Sequence, residues 1–334
     1  MLTTDLASLR PRCLPFWRGP TWLWCASLAV LWIATCCRAD DSLELLPQDM
    51  DWVLGADIER IVATSAFANW EAGAQSAQPQ RDLVEFLHRS GLDLRRDVKR
   101  LLVGAQAGRA SEFVALLEGN FDPATLLPRR ELTEHRVGGL TFYRPAPEVP
   151  QSPALAGQEF EFAFLDPHRL VLCSSGAAGA VAATAASGGP SLAQDSEMQA
   201  LIGEVRGRAM IWMVGRLRPD AEGVLAGNPF AAGLRNVRTA SFTMDFGDGL
   251  RSDLLLRCDD EVQAGRVFET VSGLVALGRG LLGAQNPAAA RALEGLRADL
   301  KGAAVSLSLV LDREAMNALG ESFKRPAAYS ASPP

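Results

Sequence analysis

The stretch from Thr239 to Ala284 restricts this chain more than any other, because it reads as strand, tight turn, strand and long helix without a break. Phe242, Met244 and Phe246 alternate with Ser241, Thr243 and Asp245, the period-two pattern of a strand with one buried face. Leu250, Leu254, Leu256 and Cys258 alternate in the same way with Arg251, Asp253 and Arg257. Gly247-Asp248-Gly249 lies between them. A two-residue loop would set Phe246 opposite Arg251, mixing apolar and charged groups on one face. A three-residue loop pairs Phe246 with Leu250, Met244 with Ser252 and Phe242 with Leu254, and puts Gly249 where a G1 bulge needs positive φ. Asp259 is then placed to cap a helix whose Ala264, Val267, Phe268, Val271, Val275 and Leu282 recur at helical spacing.

The beginning of the chain is an address. Arg10, Arg12 and Arg18 precede an apolar run from Thr21 to Cys37, followed by Arg38-Ala39-Asp40-Asp41, and this describes a secretory signal peptide over residues 1–39 with cleavage after Ala39. Two other outcomes fit the letters: Ile33-Ala34-Thr35-Cys36 approximates a lipoprotein signal, and the uncleaved run is at the short limit for a membrane anchor. All three place the body of the protein outside the cytoplasm, with membrane attachment through the N-terminal segment in two of them. Cleavage removes Arg10, Arg12, Arg18, Arg38 and Asp5, deepening the formal net charge from −6 to about −9. With no basic run visible, nucleic acid is excluded as a partner.

Of six cysteines, Cys13, Cys25, Cys36 and Cys37 lie in the export segment, leaving Cys173 and Cys258. Each ends a predicted strand just before a helix. In an oxidising compartment they make a candidate disulfide, and two buried thiols fit the same positions.

Along the body, Trp52 to Ala56, Val98 to Ala105, Phe113 to Glu118, Gly139 to Tyr143, Phe162 to Leu165, Arg169 to Cys173, Met210 to Gly215 and Val305 to Leu311 read as strands. Asp57 opens a helix through Ile58, Ile61, Val62 and Phe67, and Leu83 to Leu87 forms a short helical stripe that Gly91 ends. Asp122-Pro123 starts a helix through Leu127, and Ala177 to Ala186 is an Ala-rich helix. Another contains Met198, Leu201, Ile202 and Val205. Asn286-Pro287 starts a helix carrying Leu293, Leu296 and Leu300 that Gly302 ends, and Asp312 caps a last one. The proline-rich stretch Pro145 to Ala156 reads as a surface loop. Residues 324–334 read as a disordered tail.

Trp52-Val53-Leu54-Gly55 has a counterpart in Trp212-Met213-Val214-Gly215, and element order runs in parallel from each. The expected architecture is α+β: a first repeat over 40–190 and a diverged second over 207–323, with mainly antiparallel sheets, helices packed on one face, and the two sheets able to join.

The chemistry-bearing residues are sparse. His88, His135 and His168 lack spaced partners for a metal. Ser174-Ser175-Gly176 at a strand-to-helix junction lacks the G-x-S-x-G pattern and fits a helix cap, although Ser174 or Ser175 is the place to look for an unrecognised serine hydrolase. Asp245-Phe246-Gly247 matches a kinase tripeptide by letters alone, in a hairpin with no accompanying kinase elements. Asp245, Asp248, Asp259, Asp260 and Glu261 fit no calcium-loop spacing. No cofactor is expected.

The stretch Gly91-Leu92-Asp93-Leu94-Arg95-Arg96-Asp97-Val98-Lys99-Arg100-Leu101-Leu102-Val103-Gly104 resembles a segment of uncharacterised exported bacterial α+β proteins that carry domain-of-unknown-function labels. In them too a strand, a helix and a short Gly-hydrophobic-Asp segment precede the first hairpin. The resemblance implies an envelope protein without recognised enzymology and supplies no catalytic residues. The expected function is therefore that of an exported, non-catalytic binding or scaffold protein of the bacterial cell envelope, its partner an envelope protein or an apolar ligand. The alternatives are a carrier of an apolar ligand or lipid, lined by the Val262 to Leu282 helix, and the serine hydrolase.

Overall fold

A continuous apolar run such as Trp52-Val53-Leu54-Gly55-Ala56 marks a strand covered on both faces, whereas Ser-Leu alternation marks one covered on a single face. Both kinds occur in one sheet here. The computed structural model describes residues 42–73, 91–106, 112–124, 126, 132–145, 159–186, 188–217 and 234–324. In chain order β1 (Trp52–Asp57), α1 (Ile58–Val62) and α2 (Ser65–Gly73) lead to β2 (Val98–Ala105) and β3 (Phe113–Gly119). Then come β4 (Leu132–Val137), β5 (Leu140–Pro145), β6 (Phe160–Asp166), β7 (Arg169–Ser174), α3 (Ala178–Ala185) and α4 (Ser196–Val205). The remainder is β8 (Ile211–Arg216), β9 (Val237–Asp245), β10 (Gly249–Cys258), α5 (Glu261–Gln285), α6 (Pro287–Glu294), β11 (Leu296–Lys301), β12 (Ala304–Asp312) and α7 (Arg313–Lys324).

The twelve strands form one antiparallel sheet in the order β11-β12-β10-β9-β8-β1-β2-β3-β7-β6-β5-β4. The fold is α+β. The two expected sheets are one, joined at its centre by β1 and β8, where Trp52 pairs with Gly215 and Gly55 with Trp212. Each indole occupies the space over the opposing glycine: a Cβ on Gly55 would meet Trp212 Cε2 at 2.2 Å, and one on Gly215 would meet Trp52 Cε3 at 2.0 Å. Because residues three apart point to opposite faces, Trp52 and Trp212 lie on opposite sides of the sheet.

Helices were expected on one face, and they cover both. Trp212, Val214 and Val53 face a core closed by α3 (Ala178, Val181, Ala182), α4 (Met198, Leu201, Ile202, Val205) and the lead-in residues Leu43, Leu46 and Met50. On the other face Leu256, Cys258 and Val305 pack under α5 through Ala264, Val267 and Val271, with Phe268 and Val275 at the margin. A third cluster joins Val98, Phe121 and Leu126 to Ile58 of α1. The physical reason is the single sheet: its central strands are apolar on both sides, so both must be covered.

The β9–β10 register is the predicted one, with Met244 opposite Ser252 and Phe242 opposite Leu254. Other details differ. Gly249 is not among the glycines at positive φ. Its lack of a side chain serves close approach instead, since a Cβ there would lie 2.1 Å from the Leu311 carbonyl oxygen of β12. Asp260, not Asp259, caps α5, accepting from Gln263 N at 2.8 Å, while Asp259 accepts from Arg238. Leu296 and Leu300 lie on strand β11 rather than on a helix; the four-residue spacing that suggested a helix coincides with a period-two pattern, and Gly302 at φ 57° turns the chain into β12. His135 lies on β4, a strand that the sequence reading did not include. Asp122 accepts from Ala124 N in a turn. The caps Asp57, Asn286 and Asp312 form as expected. The export segment, the Leu83 to Leu87 stripe with His88, the proline-rich loop from residue 146 and the tail from 325 lie outside the described residues.

Candidate functional site

Cys173 and Cys258 are both free and buried, on β7 and β10. Six strand steps separate them, on the order of 29 Å at about 4.8 Å per step, so no bridge joins them within this chain. Burial, followed by the negative charge of Glu161, pushes the Cys173 thiol up to about 12. Burial, followed by Asp259 and Asp260, also raises Cys258. Both stay protonated near neutrality, which removes the thiolate a nucleophile needs.

Ser174 does not cap the helix that follows it; its Oγ accepts from Phe113 N at 3.3 Å, tying β7 to the start of β3. Among the described residues neither Ser174 nor Ser175 bonds a histidine. His168 Nδ1 is 3.1 Å from the Gly119 carbonyl oxygen. His135 Nε2 lies 2.8 Å from Glu161 Oε2. Glu161, 1% exposed on β6, also accepts from Arg144 Nη2 of β5 at 3.1 Å. This is a buried carboxylate held by Arg144 of the adjacent strand β5 and His135 of β4, and Cys173, opposite it on β7, is kept protonated by burial and by that same charge. Among the described residues no group of three or more His, Cys, Asp or Glu is placed to hold a metal.

Ahead of β2, the segment Gly91 to Asp97 is a turn locked by its own side chains. Gly91 sits at φ 71°, Asp93 N donates to Asp97 Oδ2 at 2.9 Å, and Arg96 grips Asp97 through Nε and Nη2. The Arg96 hydrogen bond is the main reason that Asp97 titrates below the usual carboxylate range.

A wide concavity lies elsewhere, on the sheet face opposite α5. The face that carries Trp212, Val214 and Val53 continues outward onto β9, β10 and β12, and its chemistry changes at β9. Register places Thr243 beside Trp212, then Asp253, then Ser308, and in the next row Ser241, Leu255 and Ser306 beside Val214. These residues line a cleft of about 870 Å³, bordered by Glu204, Val205, Arg208 and Ala209 at the end of α4. α4 covers the apolar side of the boundary, and no described side chain of α7 reaches the polar side.

Charge in the cleft is balanced and largely paired. Arg257 Nη2 lies 2.6 Å from Glu204, Arg251 Nε 3.3 Å from Asp253, and Asp245 is 3.3 Å from Arg60 of α1. Ser241, Thr243, Ser306 and Ser308 make no side-chain hydrogen bond among the described residues, so four hydroxyls face the cleft unspent. Sequence reading placed Ser241 and Thr243 on the polar side of an alternating strand and did not single out Ser306 or Ser308. The signal available was hydroxyl-bearing residues at alternate positions of both the Val237–Asp245 and Ala304–Asp312 strands, which only lateral pairing brings together.

No protein-family model matches the chain, and no curated protein matches it. Three chains among solved structures match. One is a structure of crystal form I of TP0453, with a TM-score of 0.44 and 10% sequence identity over 85% of this chain and 97% of that one. Among the described residues no helix is long and apolar enough to cross a membrane.

Proposed function

We propose that this is an exported, non-catalytic binding protein of the bacterial cell envelope that takes a polar partner on the open face formed by β9, β10 and β12. One observation carries the reading: the 870 Å³ cleft presents hydroxyl and paired charged side chains where the same sheet face, one strand away, is apolar and covered. A strand face kept polar, concave and, among the described residues, free of a covering helix is suited to reversible contact. α5 gives less support to an apolar-ligand carrier, because Ala264 and Val267 fill the space between that helix and the sheet with no exposure.

The chain also reads as two diverged copies of one unit. Outward from the centre, strands run β1-β2-β3-β7-β6 on one side and β8-β9-β10-β12-β11 on the other, the same connection order once the β4–β5 hairpin is set aside. The Trp-x-x-Gly likeness is not part of this support. A two-fold axis through the sheet keeps equivalent residues on one face, and Trp52 and Trp212 lie on opposite ones.

The test is to compare wild type with an Asp253→Lys/Arg257→Glu variant for retention of solubilised envelope components, with unfolding measured in parallel. At least one component should be held by wild type and lost from an equally stable variant. Identical retention by both would overturn the placement of the site. Mass measurement of the exported protein should give Asp40 as its first residue; an intact Met1 would overturn cleavage after Ala39 in favour of the uncleaved anchor, and recovery of the protein from the cytoplasm would overturn the export reading.

A further inference from the structure

From the unspent groups of the cleft we infer its ligand class: an uncharged polyhydroxylated chain, a neutral glycan. The inference rests on the open face being the binding site. Electrostatics comes first. The ion pairs of Arg257 with Glu204 and Arg251 with Asp253 consume charge inside the cleft, and Asp245 is engaged by Arg60. Among the described residues Arg208 at the rim is the one lining charge without an ion-pair partner; a strongly charged partner would meet that single cation and would otherwise have to break these pairs, and the formally balanced lining offers little net field to draw it in.

Hydrogen bonding comes second. A hydroxyl is both donor and acceptor, and Ser241, Thr243, Ser306 and Ser308 offer four of them with rotatable protons. The paired carboxylates keep free lone pairs and the guanidiniums keep free N–H groups, so the cleft presents donors and acceptors side by side. A ligand that matches it must be equally rich in both, and sugar hydroxyls are.

Spacing comes third. Neighbouring strands are about 4.8 Å apart, and same-face residues along a strand about 7 Å, so the groups form a lattice at the scale of successive sugar rings. Leu255 stands at the centre of that lattice, flanked by Ser241 and Ser306, and supplies an apolar spot for the C–H face of one ring. The volume, about 870 Å³, suits several linked rings rather than a single one.

The experiment is calorimetric titration of the purified protein with cellohexaose, chitohexaose and maltohexaose, with hexagalacturonate and a neutral hexapeptide as comparisons, after a screen on an array of neutral glycans. At least one neutral glycan should bind, with Kd changing less than about twofold between low and high salt, because no counterions are displaced. Ser306→Ala/Ser308→Ala should weaken it at least tenfold with an unchanged melting temperature. Binding confined to hexagalacturonate or the peptide, but still lost in the serine variant, would overturn the glycan inference and leave the open face as the site. If every ligand that binds does so equally in wild type and variant, or if no array glycan binds, the inference is overturned; unaltered envelope retention by the Asp253→Lys/Arg257→Glu variant would separately overturn the site.

Discussion

Gly55→Ala probes the centre of the sheet, where the two halves meet. The new Cβ would stand 2.2 Å from Trp212 Cε2 and 2.3 Å from Cζ2, against 3.4–4 Å for ordinary contact, so the indole must retreat by more than 1 Å. Trp212 is 6% exposed and belongs to the core closed by α3 and α4. Overpacking of this kind costs about 1–3 kcal/mol, and the size of the shift argues for the upper end. Alanine also restricts the unfolded chain, returning about 0.4–1 kcal/mol. The net expectation is a loss of about 2 kcal/mol, or roughly 5 °C in melting temperature for a chain of this size. Urea unfolding followed by circular dichroism reads it, avoiding tryptophan fluorescence. Repeating the substitution in a Trp212→Val background removes the clash, so Gly55→Ala should then be close to neutral, a coupling of about 2 kcal/mol. Gly215→Ala meets Trp52, which is only partly buried and can swing outward, so about half that loss is expected. Equal costs for Gly55→Ala in both backgrounds would refute the reasoning.

Three further outcomes are expected. Asp195 of the α4 cap is raised by burial, but hydrogen bonds from Met198 N and Arg216 outweigh this and its titration lies below the ordinary 3.8. Asp97 is lowered as well. A carboxylate depressed by folding stabilises above its unfolded value and loses that contribution as pH falls through the folded one, so urea midpoints should hold above pH 4 and drop below it, less steeply in Asp195→Asn. Arg144→Met leaves Glu161 buried with His135 alone and should cost about 2–3 kcal/mol in denaturant unfolding, whereas Arg144→Met/Glu161→Leu should recover much of it; a cost that persists in the double variant contradicts the ion-pair account. Cys173 and Cys258 should react with maleimide only on unfolding and show two free thiols by mass without reductant; a mass two hydrogens short would contradict the separation of the two strands.

Much of the fold was legible because alternation and capping are local. Phe242, Met244 and Leu254 select the hairpin register from their own spacing, and Asp57, Asn286 and Asp312 satisfy backbone donors within three residues. Where two periods coincide, as at Leu296 and Leu300, the letters do not choose between helix and strand. At Cys258 the local pattern locates a strand end but says nothing about the distance to Cys173.

What the sequence determined by itself is therefore most of the elements, β4 and β11 excepted, and the apolar side of each, since these follow from periods of two and 3.6 residues. Only the tertiary structure decided that β1 and β8 pair, that Trp212 lies over Gly55, and that α4 ends its coverage at β9. Those contacts join residues far apart in the chain, and their partners are chosen by fit between side chains. The cleft follows from the same cause: Ser241, Thr243, Ser306 and Ser308 are ordinary polar positions on separate strands, and lateral pairing alone makes them one surface.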